Sequence, residues 1–203
     1  PKTLDSDINL LIKNECDCLF LPDQSILNNI KQIKSSYKSQ HLCGLNRPGH
    51  FDGVLTIVNR LFDLVKPTRA IFGKKDYQQL LLISDFVKEN NLPINIIGSE
   101  IVRDQSGLAL SSRNNHLSAD EKKLASNLYK TLKIIANKGN KLTNNDIINE
   151  KNRLLELGFS IDYLNVCNPQ ELSKESNYNI RPLIVAIAAH IGEIRLIDNI
   201  LIT

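Results

Sequence analysis

Ile71-Phe72-Gly73-Lys74-Lys75-Asp76-Tyr77-Gln78-Gln79 is the stretch whose reading decides the fold. The apolar residues up to Phe72 predict a buried strand over Arg69–Phe72, and Leu80-Leu81-Leu82-Ile83 through Phe86-Val87 predict a helix reaching Asn90. The polar residues between them sit where a strand hands over to a helix. In an open α/β sheet that turn lies at the carboxyl edge of the strands, where ligands bind. A helix start offers free N–H groups and partial positive charge to a phosphate or carboxylate. Lys75 adds a full charge, and Gly73 lets the backbone approach a ligand closely. The same residues also fit plain capping, with Asp76 as N-cap and Gln79 completing a variant capping box.

Working outward toward the N-terminus, Arg47-Pro48-Gly49-His50-Phe51 forces a turn ahead of a helix carrying Val54, Ile57, Val58, Leu61, Phe62 and Val65. Arg47 and His50 stand beside that helix start, as ligand contacts or as ordinary surface and capping residues. Residues 23–45 are polar and weakly patterned, which suits a binding loop or an excursion to a partner. Cys18-Leu19-Phe20-Leu21 predicts a short buried strand, and Ile8, Leu11 and Ile12 a first helix capped by Asp5.

Toward the C-terminus, Ile94–Ile97 predicts a strand and Ile101-Val102-Arg103 a further extended piece. Strands alternating with helices predict a parallel sheet with right-handed crossovers. After the turn cluster Asp104-Gln105-Ser106-Gly107 the pattern changes. Ser118 and Glu121 form a capping box before a helix using Leu124, Leu128, Leu132 and Ile135. Thr143 caps another helix, with Ile147, Ile148, Leu154 and Leu155, which stops at Gly158. Strand-like runs follow at Ile161–Val166, Leu183–Ile191 and Ile194–Ile202, with Gly192 at a hairpin. Residues 1–104 and 105–203 are therefore expected to be separate domains, the second a small α+β unit. Between them Leu110-Ser111-Ser112-Arg113 offers hydroxyls and a guanidinium that can wrap a triphosphate, or that simply make a polar interdomain loop. No histidine is expected to activate either serine, which argues against a nucleophile role.

A formal net charge of +3 over 203 residues is too mild to argue for nucleic acid or a membrane surface. No apolar run spans a bilayer. Cys16, Cys18, Cys43 and Cys167 show no zinc spacing, and free thiols of a cytoplasmic protein are expected.

Taken together, Arg47–Thr56, Phe72–Gln79, Gly107–Asn114 and Arg195-Leu196-Ile197-Asp198-Asn199 resemble the pantoate–β-alanine ligase (pantothenate synthetase) family, in family order over nearly the whole chain. The resemblance implies a nucleotidyltransferase-like Rossmann domain with a parallel sheet, whose first part is absent here, plus a small C-terminal α+β domain, in a homodimer. It implies ATP and magnesium, a pantoyl adenylate, and β-alanine as the amine that displaces AMP, with neither nucleic acid nor membrane as partner. Residue by residue it places Gly73, Lys74, Lys75, Asp76, Val102, Leu110, Ser111, Ser112 and Arg113 on ATP. Lys75, Ser111, Ser112 and Arg113 are the catalytic candidates, Gln79 binds pantoate, and Arg47 and His50 are accessory. Metal ligands are left unassigned. Lys74 stands where the family usually has Glu, Leu110 where it has Met, and Ser6 where it often has an acid. The family's opening strand and two triphosphate-binding histidines would precede Pro1. Residues 1–203 alone are accordingly expected to bind ATP weakly and to form no adenylate. The alternative expectation is a non-catalytic nucleotide-binding or dimerisation module.

Overall fold

The computed structural model describes residues 3–28 and 30–203, so Pro1 lies outside it. The chain divides into two compact units, Pro1–Lys31 and Gln32–Thr203. In the first, helix α1 spans Leu4–Lys13 and Thr3, not Asp5, is its N-cap. Thr3 donates its hydroxyl to Asp7, 2.9 Å away in the first turn. The expected strand Cys18–Leu21 is absent. The run carries no regular structure, and Leu19, Phe20 and Leu21 are exposed. A strand requires a ladder partner as well as apolar residues.

The second unit begins with an irregular stretch that closes in the short helix α2, Leu42–Asn46. Gly49 in the left-handed region then turns the chain into α3, His50–Val65, which Lys66 ends, also left-handed, before Pro67. Strand β1, Arg69–Gly73, leads into α4, Tyr77–Glu89, and then into β2, Asn95–Ser99. β1 and β2 pair in parallel, Ile71 opposite Ile97. Leu55, Phe62, Ile83 and Val87 pack around Ala70, Phe72, Ile94 and Ile96. β1 is less buried than its sequence suggests: Ile71 is 68% exposed. Alternate residues of a strand face opposite sides, and only the side of Ala70 and Phe72 is covered by the helices. Ile101–Arg103 forms no third strand and makes a single antiparallel bridge between Arg103 and Ala109.

Helices α5 (Ala119–Ala125), α6 (Asn127–Asn137) and α7 (Asn144–Glu156) follow. The single helix expected around Leu124–Ile135 is two, separated at Ser126, whose hydroxyl bonds back to Lys123 O. Ser118 with Glu121 and Thr143 with Asp146 form reciprocal capping boxes. The chain ends in an antiparallel sheet ordered β3 (Ser160–Cys167), β4 (Leu183–Ile191), β5 (Ile194–Ile202). Central β4 reads as an apolar run from Leu183 to Ala189 because both of its faces are covered there. Leu183, Val185, Ile187 and Ala189 meet Leu128, Leu132, Ile135 and Leu154 of the helices. Ile184 and Ala186 meet Leu42, with Tyr77 and Leu81 of α4 against them. The architecture is thus a small parallel sheet with helices plus a C-terminal antiparallel sheet of three strands.

Asp52, in the first turn of α3, fastens the stretch before α2. It accepts from the Ser35 hydroxyl at 2.6 Å, from the Ser35 N–H at 2.8 Å and from Lys34 at 2.9 Å. Those bonds, led by the Ser35 hydroxyl, lower its pKa to about 2. A depressed folded pKa stabilises the native state above the unfolded value of about 4, and the contribution is lost as pH falls further. Wild type is therefore expected to lose its advantage over Asp52→Asn between about pH 4 and pH 2. Urea denaturation of both across that window checks it, and parallel stability curves would exclude the linkage.

Candidate active site

A cavity of about 260 Å³ opens beside the turn between β1 and α4. Lys75, Asp76 and Gln79 line it from that turn, and Ser111, Ser112 and Arg113 from the loop after Arg103. Arg47 and His50 contribute from the start of α3. The fold therefore brings together candidates that are far apart in sequence. It also sets His50 in the same cavity as both serines, which linear distance concealed. Lys75 donates to Leu110 O at 3.0 Å, tying the turn to the serine loop. Ser111 Oγ accepts the Arg113 N–H at 3.3 Å, and Arg113 reaches Arg195 O at 3.2 Å.

The capping reading of the turn fails, because Asp76 is the N-cap of α4 by position but its side chain caps nothing. Gln79 instead lines the cavity. Lys74 points elsewhere: it forms an ion pair with Glu100 and lines a second hollow with Tyr77, Gly98 and Tyr129. Gly73 ends β1 at the surface. Val102 and Leu110 do not line the cavity. They bond to one another, Leu110 N–H to Val102 O at 2.9 Å, and Val102 is 64% exposed.

Several residues that sequence reasoning passed over hold the site in place. Asn199 of β5 donates its amide to both Lys74 O and Lys75 O at 2.9 Å. Its neighbour Asp198 is buried and takes both arms of Arg103, at 2.5 and 2.8 Å. The Arg103 guanidinium lies 3.7 Å from the centre of the Tyr129 ring. Asn114 anchors the serine loop by donating to Ala109 O at 3.0 Å, while its own buried oxygen has no partner. On the far wall Arg195 donates to Asp162 at 2.7 Å and lies 3.6–3.7 Å from Cys43 Sγ, which is 3.0 Å from the Tyr163 hydroxyl. Of these, Asn114 and the Arg195–Asn199 run carried a signal in the sequence, as parts of motifs.

The electrostatics favour an anionic ligand. Lys75, Arg113, Arg195 and Arg47 face Asp76 and Asp198, and Asp198 is already paired. Burial lowers the Lys75 pKa, and Asp76 and Asp198 oppose that shift. Burial first and the Arg47 charge second hold His50 below its usual value, so its imidazole is neutral at pH 7. Burial works against the Arg195 charge, but Asp162 and Cys43 outweigh it and raise its pKa. Burial, then Cys43, raises that of Tyr163.

A cation-lined cavity at the carboxyl edge of a parallel sheet defines an enzyme of the α/β class acting on small anionic substrates. The particular family follows from comparison with known proteins. The family model described as Pantoate-beta-alanine ligase matches residues 1–201. Pantothenate synthetase of Acinetobacter baylyi is 41% identical over 98% of this chain and 73% of its own length. That of Ectopseudomonas mendocina is 40% identical over 100% of this chain and 73% of its own. The crystal structure of the Thermus thermophilus enzyme superposes with a TM-score of 0.92 at 35% identity, covering 98% of this chain and 75% of that one. Pantoate-beta-alanine ligase from Francisella tularensis, complexed with beta-gamma ATP and beta-alanine, gives 0.80 at 31% identity, covering 99% and 70%. The chain belongs to the pantoate–β-alanine ligase family, and its activity is the joining of pantoate to β-alanine in pantothenate biosynthesis.

The buried Arg103–Asp198 pair gives a direct test. Arg103→Ala leaves the Asp198 charge buried and alone, so a loss of about 3–5 kcal/mol is expected, partly recovered by adding Asp198→Asn. Urea denaturation measures it. A loss below about 1 kcal/mol would class the pair with surface bridges.

Proposed function

We propose that this protein condenses pantoate with β-alanine at the expense of ATP, through a pantoyl adenylate, and releases AMP and pyrophosphate. The observation that carries the reading is the convergence of Lys75, Gln79 and Ser111–Arg113 on one cavity. In the first step a pantoate carboxylate oxygen attacks the α-phosphorus as the bond to pyrophosphate breaks. Charge grows on the phosphate oxygens, and Lys75 and Arg113 offset it while Ser111 and Ser112 donate hydrogen bonds. In the second step the β-alanine amine attacks the acyl carbon and AMP leaves. Gln79 orients pantoate, and Arg47 and His50 act as accessory contacts. Gly73 through Asp76 cradle the nucleotide. Lys74 contributes its main chain, because its ammonium is engaged by Glu100. Val102 and Leu110 form the outer wall for the adenine.

The ATP and β-alanine assignment is supported by the Francisella complex, and the catalytic roles by the charge of the cavity. Among the described residues no cluster of His, Cys, Asp or Glu could hold a metal ion. Magnesium would be carried on the triphosphate, where it would offset phosphate charge, and its protein ligands are left unassigned. We read β1–α4–β2 as the closing part of a nucleotidyltransferase-like Rossmann domain over residues 1–104, with 105–203 supplying the phosphate loop. The parallel pairing of β1 and β2 supports this. Four free cysteines fit a cytoplasmic enzyme, and the family resemblance favours a homodimer, which sedimentation would test.

In the complete protein, with the family's opening segment present, Lys75→Ala is expected to cut pyrophosphate release by about a hundredfold or more. Melting run beside it separates chemistry from folding, and near-normal release would remove Lys75 from the mechanism. Gln79→Ala is expected to raise the pantoate KM and to leave the ATP KM nearly unchanged. Initial rates against each substrate check this, and an equal rise in both would sink the pantoate assignment.

A further inference from the structure

Gln78 and Gln79 are neighbours on the first turn of α4 and both border the cavity, yet the Gln78 amide is spent on the chain beside it. The Gln78 side chain is buried, 5% exposed, and it faces the strap of chain over residues 37–46. Its Oε1 accepts the Cys43 N–H at 3.0 Å. Its Nε2 donates to Lys38 O at 2.9 Å and to His41 O at 2.8 Å. Both amide protons are therefore used, and the amide grips the chain on either side of Leu42.

That grip falls where the backbone needs it. Leu42 has φ +44°, a left-handed conformation that a residue with a side chain keeps only where its surroundings enforce it. Two residues on, the backbone is packed so closely that a Cβ on Gly44 would fall 1.6 Å from Ser39 O. The strap is thus a tightly wound piece, and its far end is fixed to α4 separately, by Lys38 on Asp85 at 2.9 Å. It delivers Leu42, Cys43 and Arg47 to the cavity wall. Cys43 in turn meets Tyr163 and the Arg195 guanidinium.

We infer that Gln78 is a positioning residue for the ligase reaction: its amide locks the Lys38–Arg47 strap onto α4 and so sets the wall against which the substrate beside Gln79 is held. One helical turn then carries a side chain for the ligand and a side chain for the wall, and their spacing is fixed by the helix itself. The kinetic part of this inference rests on the proposed reading of the cavity as the ligase site; the structural part does not.

Gln78→Glu keeps the size and one acceptor but turns a lone pair toward the Lys38 and His41 carbonyls. Gln78→Leu removes every polar contact. In the full chain, alkylation of Cys43 by iodoacetamide under native conditions is followed by peptide mass spectrometry, with exposed Cys16 and Cys18 as internal references. Both variants are expected to melt cooperatively and to label Cys43 about tenfold faster or more, as a local opening made easier would require. The pantoate KM is expected to rise more than kcat falls. Unchanged Cys43 labelling in a folded variant overturns the inference, and so does faster labelling with unaltered kinetics. Hydrogen exchange of the wild-type chain decides the case if neither variant folds. A Cys43 amide protected as well as the amides of α4 supports the lock, and exchange at an unprotected rate refutes it. The kinetic arm uses residues 1–203 preceded by the family's opening segment; absence of ligase activity in that form would count against the proposed function, while labelling and exchange would still judge the lock.

Discussion

The amide of Asn199 holds the molecule's two sheets in register with its chemistry. It sits on the last strand and donates to the carbonyls of Lys74 and Lys75, on the turn that ends the first. Carbonyls at such a turn must find donors, and when buried without them they cost about 1–3 kcal/mol. A side chain from the C-terminal sheet supplies those donors, so the turn takes its shape from a strand more than a hundred residues away. Asp198 is fixed in its turn by both arms of Arg103, which leans on Tyr129. A buried charge pair adds little net stability, but it admits few geometries. Here that narrowness fixes the strand carrying Asn199 against the loop carrying Ser111–Arg113.

The second constraint is the double burial of β4. A strand covered on one face tolerates polar residues on the other, and a strand covered on both does not. The helices α6 and α7 occupy one side, and α4 with Leu42 of the strap occupies the other. The helix that begins at the cavity is therefore also a wall of the C-terminal core. Displacing α4 would disturb Tyr77 and Leu81 against Ile184 and Ala186 together with the cavity wall. The helix start is rigid because of where the rest of the helix is buried.

What was legible in the sequence was local. Ser118 with Glu121 and Thr143 with Asp146 announce their helices because a capping box is made within four residues. Gly192 announces its hairpin, with φ +53° in the short join. Lys75, Gln79 and Ser111–Arg113 were legible as candidates by type and motif, and the fold sets them on one cavity. The misreadings share a cause. Cys18–Leu21 and Ile71 are apolar, but burial is decided by what packs against a residue, and that is not written beside it. Asp76 and Gln79 have capping spacing, yet the side chain of Asp76 caps nothing. Asn199, Arg103 and the Cys43–Tyr163–Arg195 contact were out of reach because each joins residues roughly a hundred or more positions apart.

The buried oxygen of Asn114 has a consequence for the loop above the cavity. It is a buried acceptor with no protein donor, at the base of the serine loop that lines the cavity. The rest of the loop's interactions favour the present arrangement, and this one atom does not. In the language of energy landscapes the loop is locally frustrated: one requirement is met only by breaking others. Frustration lowers the cost of leaving a conformation without raising the cost of returning to it. The contacts that hold the loop beside the cavity are thus opposed by one atom at its base.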